Sequence, residues 1–322
     1  MKNARVTGFG KALPVRVVTN LELESIVDTS DDWIRERTGI EQRHIATVET
    51  TTSLATEAGR KALEDAGLSA EDLDLILVAT MTPDDFMPST ACQVQEALGA
   101  KKAAALDLSA ACSGFVYALS VADAFIKSNG MQKILVVGAE VLSKTLDWTD
   151  RTTCVIFADG AGAVVLEASD EEGIVATEIG AQGESGDILH TEGLPSRSYF
   201  VNEKATNHFM SMDGQTVFRF STKIFGQSVK NVLAKTHYAI RDIDIFVPHQ
   251  ANVRIIDYAA SRLKVDKNRF YLNLQKRGNT SAASIPIALA DMKEEGLLRP
   301  GMLICCTGFG GGLTWGSALI RM

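Results

Sequence analysis

The sequence lacks the segments that would hold the protein in a membrane or carry it across one. None of its apolar runs reaches the roughly 18 residues that a membrane-spanning helix needs. The first residues, MKNARVTGFGKALPVRVVTN, contain no continuous apolar stretch of the kind found in a signal peptide. Low-complexity tracts are absent and there are only 7 prolines, which argues against disorder. We therefore expect a folded, cytoplasmic protein that does not bind membranes.

The sequence also lacks an excess of positive charge. The net charge is −8 and the isoelectric point is about 5.3. Because nucleic acids are bound by basic surfaces, this balance argues against a nucleic-acid-binding protein. It leaves room for a local basic patch.

Metal-binding cysteine patterns are missing as well. The chain has 5 cysteines, an odd number, and none of them form the C-x-x-C spacing of a zinc site. We expect reduced thiols and no metal. Cys112 is the candidate nucleophile, and the other four are interpreted as packing residues, with Cys92 within a helix and Cys154 in a strand.

Short apolar runs alternate with amphipathic segments along the 322 residues. The runs are rich in β-branched residues and end at glycine, proline or aspartate, as strands buried on both faces do. They cover residues 74–80, 133–138, 162–166, 243–248 and 302–306. Segments 55–67 and 225–236 have apolar residues at helical spacing. The pattern predicts an α/β protein of about two domains.

The order of these segments repeats at a spacing near 170 residues. Three similar pairs occur in the same order: 63–79 with 233–249, SAAC (109–112) with SAAS (281–284), and QKILVVG (132–138) with GMLICCT (301–307). The alternative is that all strand–helix units look alike. The repeat predicts two stacked α/β halves, 1–172 and 173–322, that face a shared cleft at the carboxyl ends of their strands.

Cys112 lies where a strand, a turn of small residues and a helix meet, in LDLSAACSGFVYALS. A helix N-terminus favours the thiolate, which is the nucleophilic form of cysteine, so this position predicts an activated thiol. A small buried core residue is the competing interpretation.

Two further residues follow strand ends in the second half. His249 ends a buried strand at VPHQAN, where Pro248 stops the strand, and its imidazole can donate a hydrogen bond. Asn279 follows Gly278 and precedes a helix start, so it is either a site residue or a plain helix cap. The glycines of TGFGGGLTWG lack the ending of a phosphate loop and precede a strand, and we expect their N–H groups to stabilise an oxyanion.

Together these motifs resemble the β-ketoacyl-acyl-carrier-protein synthase III family of the thiolase superfamily. The resemblance rests on SAACSGF, HQAN-x-R, GNTSAAS and GFGGGLTWG, continues in TSDDWIRERTGI and DWTDRTTCVIFADGAGA, and spans essentially the whole chain. It implies a duplicated five-layered α-β-α-β-α sandwich and a homodimer. The implied reaction is condensation of a short acyl-CoA with malonyl-acyl-carrier protein, which starts type II fatty acid synthesis and needs no cofactor.

The resemblance also implies residue roles. Cys112 would carry the acyl group, His249 and Asn279 would stabilise the enolate left by decarboxylation, and the N–H groups of Cys112 and Gly311 would form the oxyanion hole. The residues expected to bind CoA are Trp33, Arg37, Arg151, Asn252, Gly214 and Phe309. Those expected to dock the acidic carrier protein are Arg219, Arg254 and Arg262.

Two departures from the family pattern stand out. Met87 occupies a position where several relatives have phenylalanine, and the family pattern places that residue in the partner subunit's acyl pocket. Because methionine is more deformable, we expect primers that are longer or more branched than acetyl. A long polar stretch, 190–209, has no role that the sequence assigns.

Three other functions remain open. A thiolase would use a second cysteine, and Cys306 is near the glycine turn. A Cys-His-Asn hydrolase shares the residue trio but would carry C-G-x-C-W near its N-terminus, which this chain lacks. A silent acyl-CoA-binding protein would form no acyl-enzyme.

Overall fold

The structure is a computed structural model that describes residues 2–193 and 208–322. The polar stretch 190–209 therefore falls largely outside the described residues. No helix in the described part of the chain is long and apolar enough to cross a membrane.

The described strands fall into two main sheets and two small ribbons. They are β1 (Asn3–Ala12), β2 (Val17–Thr19), β3 (Gln42–His44), β4 (Leu75–Ala79), β5 (Ala104–Leu108), β6 (Lys133–Val141), β7 (Asp159–Ser169), β8 (Ile174–Ala181), β9 (Leu189–His190), β10 (Ser211–Met212), β11 (Ile245–Pro248), β12 (Leu303–Gly310) and β13 (Thr314–Arg321). The first main sheet has the order β1-β7-β6-β4-β5 and the second has the order β11-β12-β13-β8. All five strands predicted from the sequence are confirmed, with ends that differ from the predicted ones by at most four residues.

The helices that cover these sheets include both predicted ones. They are α1 (Asn20–Leu23), α2 (Asp31–Thr38), α3 (Thr51–Ala66), α4 (Thr90–Leu98), α5 (Gly114–Asn129), α6 (Gly214–Leu233), α7 (Val253–Leu263), α8 (Leu274–Arg277) and α9 (Ser284–Glu294). Thr50 caps α3 through a reciprocal bond with Ser53, and glycines in left-handed conformation end α2, α3, α4 and α5.

The elements stack in five layers. Helices α3 and α4 cover the outer face of the first sheet, and α6 and α7 cover the outer face of the second. Helices α5 and α9 lie between the sheets, with α5 contacting strands of both, and their apolar side chains form the central core. This arrangement is the predicted α-β-α-β-α sandwich.

The two sheets share one pairing register. Leu75 of β4 lies opposite Ile134 of β6, and Ile245 of β11, 170 positions later, lies opposite Ile304 of β12, again 170 later. The repeated aspartates explain this: Asp74 accepts a hydrogen bond from the N–H of Lys133 at 3.0 Å, and Asp244 accepts one from the N–H of Leu303 at 2.7 Å. An aspartate at the equivalent position thus fixes the start of the neighbouring strand in each half.

One sequence match was placed two residues out of register. The structure puts Ala111, with a φ of 44°, at the position equivalent to Ser281, with a φ of 49°. Each residue opens a one-turn 3₁₀ helix before α5 or α9. The equivalent of Cys112 is therefore Ala282. SAAC and SAAS resemble each other only because both are runs of small residues. The match of QKILVVG with GMLICCT was likewise shifted by one residue.

Glycines bring the two halves into close contact. A Cβ on Gly138 of β6 would lie 2.3 Å from the carbonyl oxygen of Ala282, and one on Gly308 of β12 would lie 2.9 Å from the Cα of Ser113. Each half's central strand thus lies directly against the other half's turn.

Candidate active site

Cys112 lies in the turn Ala111–Ser113, immediately before α5, as the sequence predicted. Its side chain is 6% exposed, at the bottom of a cavity between the two halves. A side chain on Gly310 would lie 2.9 Å from the Cys112 sulfur, so the glycine allows the backbone to approach the thiol.

The expected acidic thiol is not what the structure shows. Burial raises the pKa of Cys112 from 9.0 to about 11, and the negative charge of Glu140 adds to the rise. Hydrogen bonds from Ser281 and from the N–H groups of Cys112 and Gly311 only partly oppose it. The expected activation of the thiol by its position is not met, because burial raises its pKa more than the neighbouring hydrogen bonds lower it.

His249 directly follows β11 and is 1% exposed. Its Nδ1 lies 2.6 Å from the hydroxyl oxygen of Ser284, and the N–H of Gln250 donates to the same oxygen at 3.4 Å. When the Ser284 hydroxyl donates its hydrogen to Nδ1, the imidazole proton lies on Nε2, from which it can be donated into the cavity. Burial lowers the pKa of His249 from 6.5 to about 3, so the ring is neutral.

Asn279 is a cavity residue that also supports the turn after it. Its backbone pairs with Ile156 and Ala158, which fixes its position beside Phe157. Its side-chain oxygen accepts the N–H of Ser281 at 2.9 Å. The amide N–H₂ therefore remains as the donor on the cavity side. The N-cap position of the turn belongs to Thr280, so the interpretation of Asn279 as a plain helix cap is wrong.

These residues meet in one cavity with two lobes. The narrower lobe, of about 150 Å³, is lined by Cys112, His249 and Asn279. Its lining also includes the residues Gly214, Phe218, Asn252 and Phe309. The Phe309 ring packs edge-on against His249, with centroids 5.5 Å apart.

The wider lobe also reaches Cys112 and has a mostly apolar lining. It is lined by Met81, Leu142, Phe157, Leu189 and Met210, with Ser281, Gly311 and Thr314 among its polar or backbone groups. The backbone N–H groups of Cys112 and Gly311 both point at the thiol. An acyl group on the sulfur would thus have apolar space on one side and two N–H donors beside its carbonyl oxygen.

Three predicted CoA-binding residues gather at the surface. The Arg151 guanidinium lies 5.3 Å from the centroid of the Trp33 ring, and that of Arg37 lies 6.0 Å from it. Asn252 caps α7 through its oxygen and donates its amide to the Arg37 carbonyl at 2.9 Å. Asn252 therefore links this surface cluster to the narrow lobe.

Of the predicted docking arginines, the structure brings two into one groove. Arg219 on α6 and Arg262 on α7 line a groove together with Lys223 and Lys230, and none of the described residues that line it is acidic. Arg254 lies apart from this groove, with its guanidinium 5.7 Å from the Phe218 ring. The two lysines could have been found from the sequence, because they follow Arg219 at helical spacing.

Met87 does not reach the cavity of its own chain. It is 87% exposed beside Phe86, which is 79% exposed. Nearby β5 is an edge strand of its sheet, and its Leu106 is 38% exposed.

The remaining cysteines differ from one another more than the sequence indicated. Cys92 is exposed rather than packed, and Cys154 lies in a buried turn rather than a strand. Cys305 and Cys306 are buried, as predicted, and burial raises the pKa of Cys306 well above its ordinary value. Cys306 is absent from the lining of the cavity, so a thiolase-type second cysteine has no support.

Sequence reasoning missed three residues at or beneath the cavity wall: Glu140, Ser281 and Ser284. Ser284 and Ser281 occur within GNTSAAS, but nothing in the pattern showed which serine faces which partner. Glu140 is fully buried, and the apolar pattern of β6 gave no reason to single it out.

Comparisons with known proteins show which family the chain is similar to. Residues 106–183 match the family model 3-Oxoacyl-[acyl-carrier-protein (ACP)] synthase III, and residues 233–322 match the model of its C-terminal part. The chain is 50% identical to a beta-ketoacyl-[acyl-carrier-protein] synthase III of Clostridium perfringens and 49% identical to that of Thioalkalivibrio sulfidiphilus, in both cases over 100% of each chain.

Solved structures show the same likeness. The 3-oxoacyl-[acyl-carrier-protein] synthase III of Aquifex aeolicus is 47% identical and superposes with a TM-score of 0.93, covering 99% of this chain and 100% of that one. The enzyme of Pseudomonas aeruginosa is 42% identical, with a TM-score of 0.93, covering 99% of this chain and 98% of that one.

The neutral state of His249 has a measurable consequence for stability. Its lowered pKa means that the unfolded chain binds a proton below about pH 6.5 while the folded chain does not until about pH 3. His249 therefore lowers the free energy of unfolding by about 1.4 kcal/mol for each pH unit below 6.5. Replacing His249 by Asn should remove this slope, so the difference in unfolding free energy between variant and wild type should shift by about 2 kcal/mol between pH 6.5 and 5.

Urea unfolding at the two pH values measures this shift. The matched control is His237→Asn, since His237 is exposed. An unchanged difference between the wild type and the His249 variant at both pH values would show that the folded protein protonates this ring.

Proposed function

Because this chain belongs to the 3-oxoacyl-[acyl-carrier-protein] synthase III family, we propose that it performs that family's condensation through an acyl-enzyme on Cys112. A short acyl group passes from CoA to Cys112 and is then joined to malonyl-acyl-carrier protein. The products are 3-oxoacyl-acyl-carrier protein, CoA and CO₂, and the reaction starts type II fatty acid synthesis. The observation that supports this role is one cavity in which a buried thiol faces two uncharged hydrogen-bond donors.

In the first step the Cys112 sulfur attacks the thioester carbonyl of acyl-CoA. Negative charge develops on the carbonyl oxygen, and the N–H groups of Cys112 and Gly311 are placed to stabilise it. The acyl chain occupies the wider, apolar lobe. Covalent transfer divides one difficult reaction into two easier ones.

In the second step His249 and Asn279 hold the thioester oxygen of the malonyl group. Loss of CO₂ leaves an enolate, whose oxygen carries negative charge. Both donors are neutral, so their hydrogen bonds strengthen as charge develops, without a full proton transfer. The enolate carbon then attacks the acyl-enzyme and releases the Cys112 sulfur.

The entrance to the narrow lobe suits CoA. Trp33 and Arg151 are flat groups that can stack on an adenine, and Arg37 can pair with a phosphate. Asn252, Gly214 and Phe309 line the lobe that would take the pantetheine arm. In this proposal acyl-CoA is a substrate rather than a cofactor. Side chains and backbone groups carry out every step without a metal or a bound cofactor. The reaction takes place in the cytoplasm, where the carrier protein is found.

The donor pair gives a testable division between the two steps. His249→Ala should still form the acyl-enzyme on Cys112 but should lose condensation by about 10²–10³-fold, because the donor acts on the enolate. Asn279→Ala should behave alike, and Cys112→Ala should form no acyl-enzyme. Intact mass and peptide mapping after acetyl-CoA, followed by malonyl-acyl-carrier protein, measure both steps.

The exposed His237→Ala serves as the control and should keep both steps. An adduct that discharges only to water would indicate a hydrolase. Discharge to acetyl-CoA without decarboxylation would indicate a thiolase, and no adduct in the wild type would leave a binding protein.

The basic groove supports docking of an acidic carrier protein. Arg219, Lys223, Lys230 and Arg262 give it positive charge although the whole chain is acidic. The double variant Lys223→Glu, Lys230→Glu should raise the KM for malonyl-acyl-carrier protein about tenfold or more at low salt. The KM for acyl-CoA should not change.

Steady-state kinetics with each substrate varied in turn tests the groove. Lys276→Glu changes an exposed lysine outside it and should leave both KM values as they are. An equal rise in KM for the carrier protein in the control would mean that only net charge matters.

The open edge of β5 and the exposed Phe86 and Met87 support a homodimer in which Met87 enters the partner subunit's acyl pocket. Methionine can move aside for a larger acyl chain. The Met87→Phe substitution should therefore lower the rate with branched C4–C5 primers relative to acetyl-CoA, by about tenfold.

A panel of acyl-CoA primers, compared by kcat/KM, measures this preference. Cys92→Ser, an exposed substitution outside the pocket lining, is the control. A wild type that accepts acetyl-CoA alone would contradict the assignment to Met87.

A further inference from the structure

Arg43 of β3 is a fully buried arginine that takes no part in the steps above and does not line the cavity. Burial lowers the pKa of its guanidinium to about 10, so the group keeps its charge at neutral pH. Its hydrogen bonds go to one side-chain amide and two backbone carbonyls, and to no carboxylate among the described residues. A charge buried in this way is costly, and its contacts indicate what it contributes.

The guanidinium joins three segments of the chain. Its Nη1 donates to the side-chain oxygen of Asn20 at 2.8 Å and to the carbonyl oxygen of Val18 at 3.4 Å. Its Nη2 donates to the carbonyl oxygen of Val155 at 2.8 Å. Asn20 in turn donates its amide to Asp31 at 2.8 Å. Because the guanidinium is planar, bonds at both terminal nitrogens fix its orientation.

Val155 begins the segment against which the Asn279 backbone lies. The carbonyl oxygen of Ile156 accepts the N–H of Asn279 at 3.1 Å, and the N–H of Ala158 donates to the Asn279 carbonyl at 2.9 Å. Ile156 also lines the narrow lobe of the cavity. By holding the Val155 carbonyl, Arg43 therefore fixes the start of the segment that positions Asn279.

A second contact reaches the same turn directly. Gly278 has a φ of 67°, and a Cβ on it would lie 3.1 Å from the Cβ of Arg43 and 2.8 Å from the Cβ of Ala158. Gly278 is thus enclosed between these two side chains. The residue before Asn279 therefore packs against Arg43 itself, and the residue opposite Asn279 is held through Val155.

We propose that Arg43 is a positioning residue for the Asn279 amide and so for the condensation step. This inference rests on the proposed function of Asn279 as a donor to the malonyl thioester oxygen. Arg43 touches no reacting atom. A hydrogen bond to a developing enolate depends steeply on the place of its donor, so a small shift of the amide slows the reaction without removing the donor.

The other site residues are held by different contacts. Cys112 lies in the turn before α5, and His249 is oriented by Ser284. No hydrogen bond of Arg43 goes to any of these three residues. Acyl transfer to Cys112 should therefore not depend on Arg43, whereas condensation should.

A role of the buried charge alone makes a different prediction. If the guanidinium stabilised the enolate only by its charge, Arg43→Lys would keep full activity. The effect of Arg43→Met would then be the same whether or not Asn279 is present. Positioning instead needs the forked geometry of the guanidinium, which an ammonium does not reproduce, and it needs Asn279.

A double-mutant cycle separates these two roles. Protein acylated on Cys112 by acetyl-CoA is mixed with malonyl-acyl-carrier protein, and the maximal rate of condensation is measured in a single turnover. Arg43→Met should slow condensation about tenfold in the wild-type background and in His249→Ala, but should cause no further loss in Asn279→Ala. The maximal rate of acylation should be unchanged in each case. Arg43→Lys should also slow condensation, in the same backgrounds.

The matched control is Arg321→Met. Arg321 is a partly buried arginine at the end of β13 opposite Thr314, which lines the cavity. This variant should keep both rates, and thermal unfolding of each variant checks that it is folded.

Four results would overturn the proposal: unchanged condensation in Arg43→Met, a loss that persists in Asn279→Ala, an equal slowing of acylation, or full activity of Arg43→Lys. If Arg43→Met fails to fold, the same cycle with Arg43→Lys decides. Full condensation by Asn279→Ala alone, or no adduct in the wild type, would contradict the proposed function instead.

Discussion

The site depends on a contact between the two halves that glycine alone permits. Gly138 of the first half lies against Ala282 in the turn of the second, and Gly308 of the second half lies against Cys112 and Ser113 in the turn of the first. A side chain at either glycine would meet backbone atoms, which cannot move aside as a flexible side chain can. Each half therefore holds the other's turn, and the spacing between the nucleophile and the donors is fixed by backbone packing rather than by flexible loops.

Duplication explains how one cavity acquires several kinds of chemistry. At a spacing of 170 residues, His249 occupies the place of Ala79, and Ser284 occupies the place of Gly114. In the first half these two small residues pack together, whereas in the second they form the bond that orients the imidazole. The first half supplies the thiol and the second supplies the donors. Neither half would need to change its backbone to diverge in this way.

The sequence predicts a structural feature correctly where a single segment determines that feature. Buried strands, the repeat and the positions of Cys112 and His249 at strand or helix ends follow from local pattern, since a β-branched run or a glycine turn restricts the backbone by itself. The sequence does not predict contacts between residues of two distant segments. The bond between His249 and Ser284 joins the residue after β11 to the start of α9, and the groove of Lys223 and Arg262 joins two helices. The pKa of the thiol was predicted in the wrong direction because burial is a property of the whole fold.

Burial also explains why the site relies on neutral groups. Desolvation raises the pKa of Cys112 and of Glu140 and lowers that of His249, so each shift favours the uncharged form. In such a site a permanent ion would be costly, but a charge that develops during reaction is strongly stabilised by donors already in place. An amide such as Asn279 and a neutral imidazole meet this requirement without carrying charge. The same desolvation that protects an enolate from water, however, opposes formation of the thiolate. The Cys112 thiol therefore has to lose its proton inside a desolvated cavity before the sulfur can attack the acyl-CoA.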